Sequence, residues 1–221
     1  MPAVVESIEP SAAVATPAES RVVLDHVSWS TWMALLDDVG TRRGRMAYDR
    51  GMLEIMSPSV RHENAKTLLG RLFEAATEEL DVEILSAGSL TMKREDLARG
   101  IEPDECYYVA RPDAVRGKPE IELPDDPPPD LAFEVDITRS SIDKLGIYAA
   151  LGVREVWRYD GRSLSIRVLG DDGGYQAAEQ SQLLPRLPVA KLAEFLALRH
   201  TTGETTIVRS FRSWLREQLG P

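Results

Sequence analysis

Residues 131–137 constrain this chain more than any other stretch. Leu131, Phe133, Val135 and Ile137 alternate with Ala132, Glu134 and Asp136. Successive side chains of a strand point to opposite faces, so one face is apolar and the other carries two carboxylates. A helix pattern follows at once. Ser140 with Asp143 fits a capping box, the pattern runs to Ala150, and Gly152 stops it. Residues 153–159 then read as the next strand. A strand with a helix packed on it is central, and two acids on one face of a central strand are costly unless something pairs with them. The bland alternative is an edge strand with one wet face.

The rest of the chain supplies the partners. Residues 1–20 are rich in Ala, Pro, Ser and Glu and read as a disordered tail. Ser28 or Ser30 caps a short helix through Trp32, Leu35 and Leu36. Residues 45–48 and 52–56 flank Asp49-Arg50-Gly51 as a hairpin. The clearest helix spans residues 60–80, where Ala65, Leu68, Leu69, Leu72, Phe73, Ala76 and Leu80 form one apolar stripe. Strand-like segments follow at 82–85, 90–93 and 101–110. Asp160-Gly161 joins strands at 153–159 and 163–169, and helices close the chain at 189–198 and 204–219. The order predicts a single α/β domain with a mixed central sheet flanked by helices, over residues 21–200, followed by a C-terminal amphipathic helix at 201–221.

Composition narrows the class. One cysteine, Cys106, excludes an intramolecular disulfide and a cysteine-built zinc site. It reads as a small buried hydrophobe. No apolar run approaches the roughly 20 residues of a membrane span. Residues 1–20 lack the basic start and apolar centre of a secretory signal, so the cytoplasm is the expected compartment. The net charge of -10 argues against tight, non-specific binding of nucleic acid over the whole surface.

Three residues carry candidate chemistry. Asp104 follows Pro103 in an extended segment, Glu134 lies thirty residues later in the alternating strand, and Lys144 lies ten beyond that in the first turn of the next helix. Two acids on neighbouring strands, with a backbone carbonyl such as that of Val135 between them, suit a hard divalent cation, Mg2+ or Mn2+. Such an ion acidifies a water and offsets charge on a phosphoryl group, and a nearby lysine can neutralise the rest. Spacing alone says little in a chain with 36 acidic residues.

At these residues the chain resembles a family. The segments Gly100-Ile101-Glu102-Pro103-Asp104 and PDLAFEVDI at 129–137, together with KLGIYAALGVREVWRY from Lys144 to Tyr159, resemble the Uma-type restriction endonuclease family. The hairpin ending near Pro58 and the Arg61-His62-Glu63 helix start fit too, and the match runs over about residues 40–198. The resemblance implies a PD-(D/E)XK nuclease core, a restriction-endonuclease-like fold and hydrolysis of DNA. Asp104 matches the family's PD aspartate and Glu134 its following acid. The usual lysine position, two residues after Glu134, holds Asp136; the family's displaced lysine matches Lys144. The superfamily also implies an acid from its first core helix, for which Glu63 is the candidate. On a helical wheel His62 lies nearer the apolar stripe, which leaves open which of the two faces the site.

The competing class is a nuclease-like fold that has lost cutting and serves as an interaction module, favoured by the acidic charge and the displaced lysine. Tyr148, one turn after Lys144, is placed to position it. In the last helix Ile207, Phe211, Trp214, Leu215 and Leu219 form an apolar stripe that docks on the domain or, in a homodimer, on a second subunit. Arg209, Arg212 and Arg216 share another side and are the candidate DNA contact, set against a merely solvated face.

Overall fold

The computed structural model describes residues 19–40, 44–137 and 140–220. Strands β1 (Ser20–Leu24), β2 (Arg45–Asp49), β3 (Met52–Ser57), β5 (Met92–Arg94) and β6 (Arg99–Ile101) form one antiparallel sheet in the order β1-β3-β2-β6-β5. Strands β4 (Leu85–Gly88), β7 (Glu105–Tyr108), β8 (Leu131–Val135), β9 (Glu155–Tyr159), β10 (Leu164–Leu169) and β11 (Tyr175–Ala178) form a second sheet in the order β11-β10-β9-β8-β7-β4. Its β8–β9 pair is parallel and the others are antiparallel, so this sheet is mixed. The helices are α1 (Trp29–Val39), α2 (Val60–Leu80), α3 (Lys144–Leu151), α4 (Val189–Ala197) and α5 (Glu204–Leu219). The fold is α/β, as the element order predicts, with a second sheet that the pattern does not reveal.

Alternation along the strands sorts the core into layers. Leu131, Phe133 and Val135 of β8, with Tyr107 and Trp157 on its neighbours, face α2, α4 and α5. Phe73 of α2 meets Phe133 edge-on at 5.3 Å, and Phe133 stacks on Trp157 at 5.3 Å. Such rings bury large apolar area and hold a defined geometry. Ala132, Cys106 and Val156 point the other way, against Ile147, Tyr148 and Leu151 of α3 and against Ala47, Met92 and Ile101 of the first sheet. The crossover helix α3 therefore lies between the two sheets, and a residue on this face of β8 meets α3 directly.

Several local details differ from the pattern. The extended segment at 101–110 is broken. Glu102 and Pro103 separate β6 in the first sheet from β7 in the second, because proline has no N–H to continue a ladder. The strand at 131–137 ends at Val135. Asp143, not Ser140, caps α3; its carboxylate accepts from Gly146 N at 3.1 Å, and Ser140 bonds Glu54 instead. Of the tail expected over residues 1–20, residues 1–18 lie outside the described residues, while Glu19 is placed and Ser20 opens β1. The apolar stripe of α5 is filled within the chain: Ile207, Phe211 and Leu215 are buried in the helical layer, and Phe211 meets Phe195 of α4 edge-on at 5.2 Å.

Candidate active site

A break in regular structure places Asp104, and alternation along β8 places Glu134. After Pro103 the chain turns between sheets, and Asp104 N donates to Phe133 O at 3.2 Å. The Asp104 carboxylate folds back on β8, where its Oδ2 accepts from Val135 N at 2.7 Å. Glu134 projects from the opposite face to Phe133, toward α3. Both acids are buried, with Asp104 2% and Glu134 1% exposed.

Helix α3 meets Glu134 with two side chains one turn apart. Lys144 Nζ lies 2.5 Å from Glu134 Oε2, and the Tyr148 hydroxyl donates to Glu134 Oε1. Lys144 also lies 3.7 Å from Asp136 Oδ1. Burial pushes the Glu134 pKa up to about 7; Lys144 pulls it down, and Asp104 and Asp136 push it further up. Burial works against the charge on Lys144, but Glu134, Asp136 and Asp104 together hold its proton above the usual lysine range. Burial likewise opposes ionisation of Asp104, and the bond from His62, the charges of His62 and Lys144 and the Val135 N–H overcome it, so its pKa falls.

The first turn of α2 settles the choice between His62 and Glu63. Ser59 caps the helix and accepts from His62 N at 3.2 Å, which turns the ring inward. His62 is fully buried, with Nε2 2.9 Å from Asp104 Oδ1 and Nδ1 2.8 Å from Glu19 Oε1. Burial lowers its pKa, yet the bonds to Asp104 and Glu19 outweigh this and raise it to about 9. Glu63 faces away: its side chain is 41% exposed, and it pairs with Lys66 at 3.6 Å and Arg45 at 3.9 Å. Of the two residues the pattern leaves open, His62 therefore lies against Asp104 and Glu63 points away from it.

Sequence reasoning missed a second ring of charge. Arg21 of β1 pairs with Glu54 of β3 at 2.7 Å and lies 3.9 Å from Asp136. Glu54, 1% exposed, accepts from Ser140 Oγ at 2.9 Å and Ser141 N at 2.9 Å. It thereby pins the segment that leads into Lys144. Arg158 of β9 donates to Asp136 Oδ2 from two nitrogens, at 3.0 and 2.8 Å. Asp136 was already flagged by the alternation of its strand; for Glu54 the signal was a lone acid among the apolar residues of β3. A pocket of about 130 Å³ opens onto Glu134, between Ser140, Asp143, Lys144, Tyr148 and Arg158. A larger cleft of about 680 Å³, between α1 and residues 115–125, contains none of these groups.

The arginines expected to contact DNA are not brought here. Arg212 pairs with Glu78 and, at 3.1 Å, with Glu79; Arg216 lies 2.6 Å from Glu79. These contacts fasten α5 to the C-terminal end of α2, and at 1.5 Å per residue the seventeen residues from His62 to Glu79 span about 25 Å. Arg209 is exposed.

A family model described as Uma2, putative restriction endonuclease, matches residues 34–202. The chain belongs to this family. Asp104, Glu134, Lys144 and His62 fall inside the Uma2 span, whereas Glu19 and Arg21 fall outside it. Family membership supports a nuclease function in general terms. Among solved structures, one titled as a putative nuclease belonging to DUF820 from Anabaena variabilis ATCC 29413 is similar at 12% identity, covering 77% of this chain and 91% of that chain with a TM-score of 0.45. No curated protein matches. No helix among the described residues is long and apolar enough to cross a membrane.

Proposed function

We propose that this Uma2-family chain is a metal-dependent endonuclease that hydrolyses DNA phosphodiester bonds. One observation carries the reading: Lys144, displaced from the strand to the following helix, still arrives at Glu134, 2.5 Å from Oε2, while Asp104 lies against the same strand. The donor set fits a hard divalent cation. Among the described residues no three His, Cys, Asp or Glu side chains are gathered as a metal cluster. Two buried carboxylates and a backbone carbonyl are nonetheless what Mg2+ or Mn2+ uses alongside waters and substrate phosphate. Asp104, Glu134 and the Val135 carbonyl would hold it, and when bound it supplies charge neutralisation and an acidified water. Lys144, held in its charged form, is placed to neutralise charge on a phosphodiester oxygen. Glu54 orders the approach to Lys144, and His62 fixes one oxygen of Asp104. With a net charge of -10, attraction to DNA is weak, local and salt-sensitive.

A second reading has its own support. All four oxygens of Asp104 and Glu134 already have partners in the chain: His62 and Val135 N for one acid, Lys144 and Tyr148 for the other. A fold whose acids are compensated internally suits a catalytically silent interaction module. Incubation with single-stranded, duplex and branched DNA in Mg2+ or Mn2+ separates the two. Cleavage by wild type that is lost in D104N, E134Q and K144M supports the enzyme. Cleavage that persists in D104N, or none on any substrate, refutes it.

A further inference from the structure

A tyrosine that served only to fill the space between the sheets would need no hydroxyl. Tyr148 is fully buried among Cys106, Ala132, Ile147 and Val156, and a hydroxyl taken there is costly unless it is bonded. Its bond goes to one of the two carboxylates of the proposed site, at Glu134 Oε1. Lys144 holds the other oxygen from the same helix, four residues earlier. A single bond from a flexible lysine leaves a carboxylate free to turn. A second bond, from a ring locked by packing, fixes its plane and leaves the remaining lone pairs on a set course. Outer partners of this kind, bonded to a ligand and not to the ion, commonly change metal affinity by about 10- to 100-fold.

We propose that Tyr148 is a positioning residue that fixes the Glu134 carboxylate for divalent-cation binding, acting with Lys144 as a two-point clasp from α3. The inference rests on the metal reading above. It differs from the expectation that Tyr148 positions Lys144, because the hydroxyl bonds the acid itself. The test is Mn2+ titration by calorimetry on the full chain, for wild type, Y148F, E134Q and the Y148F/E134Q pair, with a thermal melt of each. Phenylalanine keeps the ring, so packing is retained and only the hydroxyl is lost. We expect the Mn2+ Kd of Y148F to rise about tenfold or more, and the pair to bind no worse than E134Q alone. A Kd for Y148F within twofold of wild type, with only the melting temperature moved, overturns the positioning role and leaves the metal site standing. An equal further loss in the E134Q background shows that the hydroxyl does not act through Glu134 and also overturns it. Wild type that binds no Mn2+ overturns the metal reading and this inference together.

Discussion

The tightest approach to any glycine of the chain is at Gly100, where the Trp32 ring packs on β6. Gly100 lies in β6, paired with Tyr48 on one side and Lys93 on the other. A Cβ there would lie 2.1 Å from Trp32 Cη2, 2.8 Å from Trp32 Cζ3 and 2.9 Å from the Met92 carbonyl. Carbon atoms rest at about 3.5–4.0 Å, so the worst contact falls short by about 1.5 Å. Trp32 cannot yield easily: it is fully buried, stacked on Tyr48 at 5.0 Å and met edge-on by Trp29 at 4.8 Å. Overpacking typically costs about 1–3 kcal/mol, and the backbone contact at Met92 places G100A near the top of that range. At about 2–4 °C per kcal/mol for a domain of this size, Tm should fall by about 6–12 °C. The clash also couples Gly100 to Trp32. W32F removes the clashing ring atoms, so G100A/W32F should be less destabilised than the sum of the single changes. Differential scanning calorimetry measures both. A G100A protein melting within about 1 °C of wild type, or strict additivity in the pair, refutes the clash.

The remaining tests are simpler. Bonds from Arg216, joined by Arg212, overcome the effect of burial and hold the Glu79 carboxylate below its ordinary pKa, so its stabilising contribution is present above the unfolded value and is lost as pH falls through the folded one. E79Q should therefore melt slightly below wild type at pH 7, by at most about 1 kcal/mol, and the gap should shrink as pH falls below about 4.3 and vanish below the depressed folded value; a gap that persists in acid counts against the ion pairs. Because Arg212 and Arg216 are engaged by Glu78 and Glu79, changing both to Ser should leave the slope of log DNA affinity against log salt unchanged; a slope lowered by about two units would restore them as phosphate contacts. Cys106 is fully buried, with its thiol pushed up to about 12 by burial, so a thiol reagent should modify it only on unfolding, and fast modification of the folded chain would contradict the packing.

What could be read from the sequence was what local periodicity encodes. The stripe of α2 runs over the predicted 60–80 because its residues must share one face at the helical period. The turn at Asp49-Arg50-Gly51 works because Arg50 and Gly51 take positive φ, 49° and 100°. The two faces of β8 follow from alternation alone. Of the candidate site, motifs point to Asp104, Glu134 and Lys144, and helical periodicity to His62. Long-range pairing left no such trace. Glu19 reaches His62 across 43 positions, Arg21 reaches Glu54 across 33, and Glu54 reaches Ser140 across 86. Ser140 looked like a helix cap because its local spacing fits one, and a tertiary partner claimed it instead. The helical wheel put His62 nearer the apolar stripe than Glu63, and its long-range partners Asp104 and Glu19 left no local trace.

Lys144 can decide between the two functional readings without a nuclease assay. Its amine is the only cation bonded to Glu134 among the described residues; Glu134 is buried and the Lys144 side chain is 13% exposed. Removing one partner of a buried pair commonly costs about 3–5 kcal/mol, because the other charge is left uncompensated. K144M should be destabilised by up to this amount near neutral pH, less to the extent that Glu134, already raised to about 7 by burial, takes up a proton. If Asp104 and Glu134 form a cation site, Mn2+ can replace the lost charge, and it no longer competes with the amine for Glu134. The gain from a ligand that binds only the folded state is RT ln(1 + [L]/Kd), about 2.7 kcal/mol at a hundredfold excess over Kd. In a domain of this size that raises Tm by about 5–11 °C. The expected result is a larger Mn2+-induced rise for K144M than for wild type, abolished in K144M/D104N. In a silent module the lysine is a permanent structural partner with no ion to take its place. K144M would then stay destabilised at every Mn2+ concentration, and neither protein would shift. That outcome would remove the metal site while leaving the fold, the family and the buried network intact.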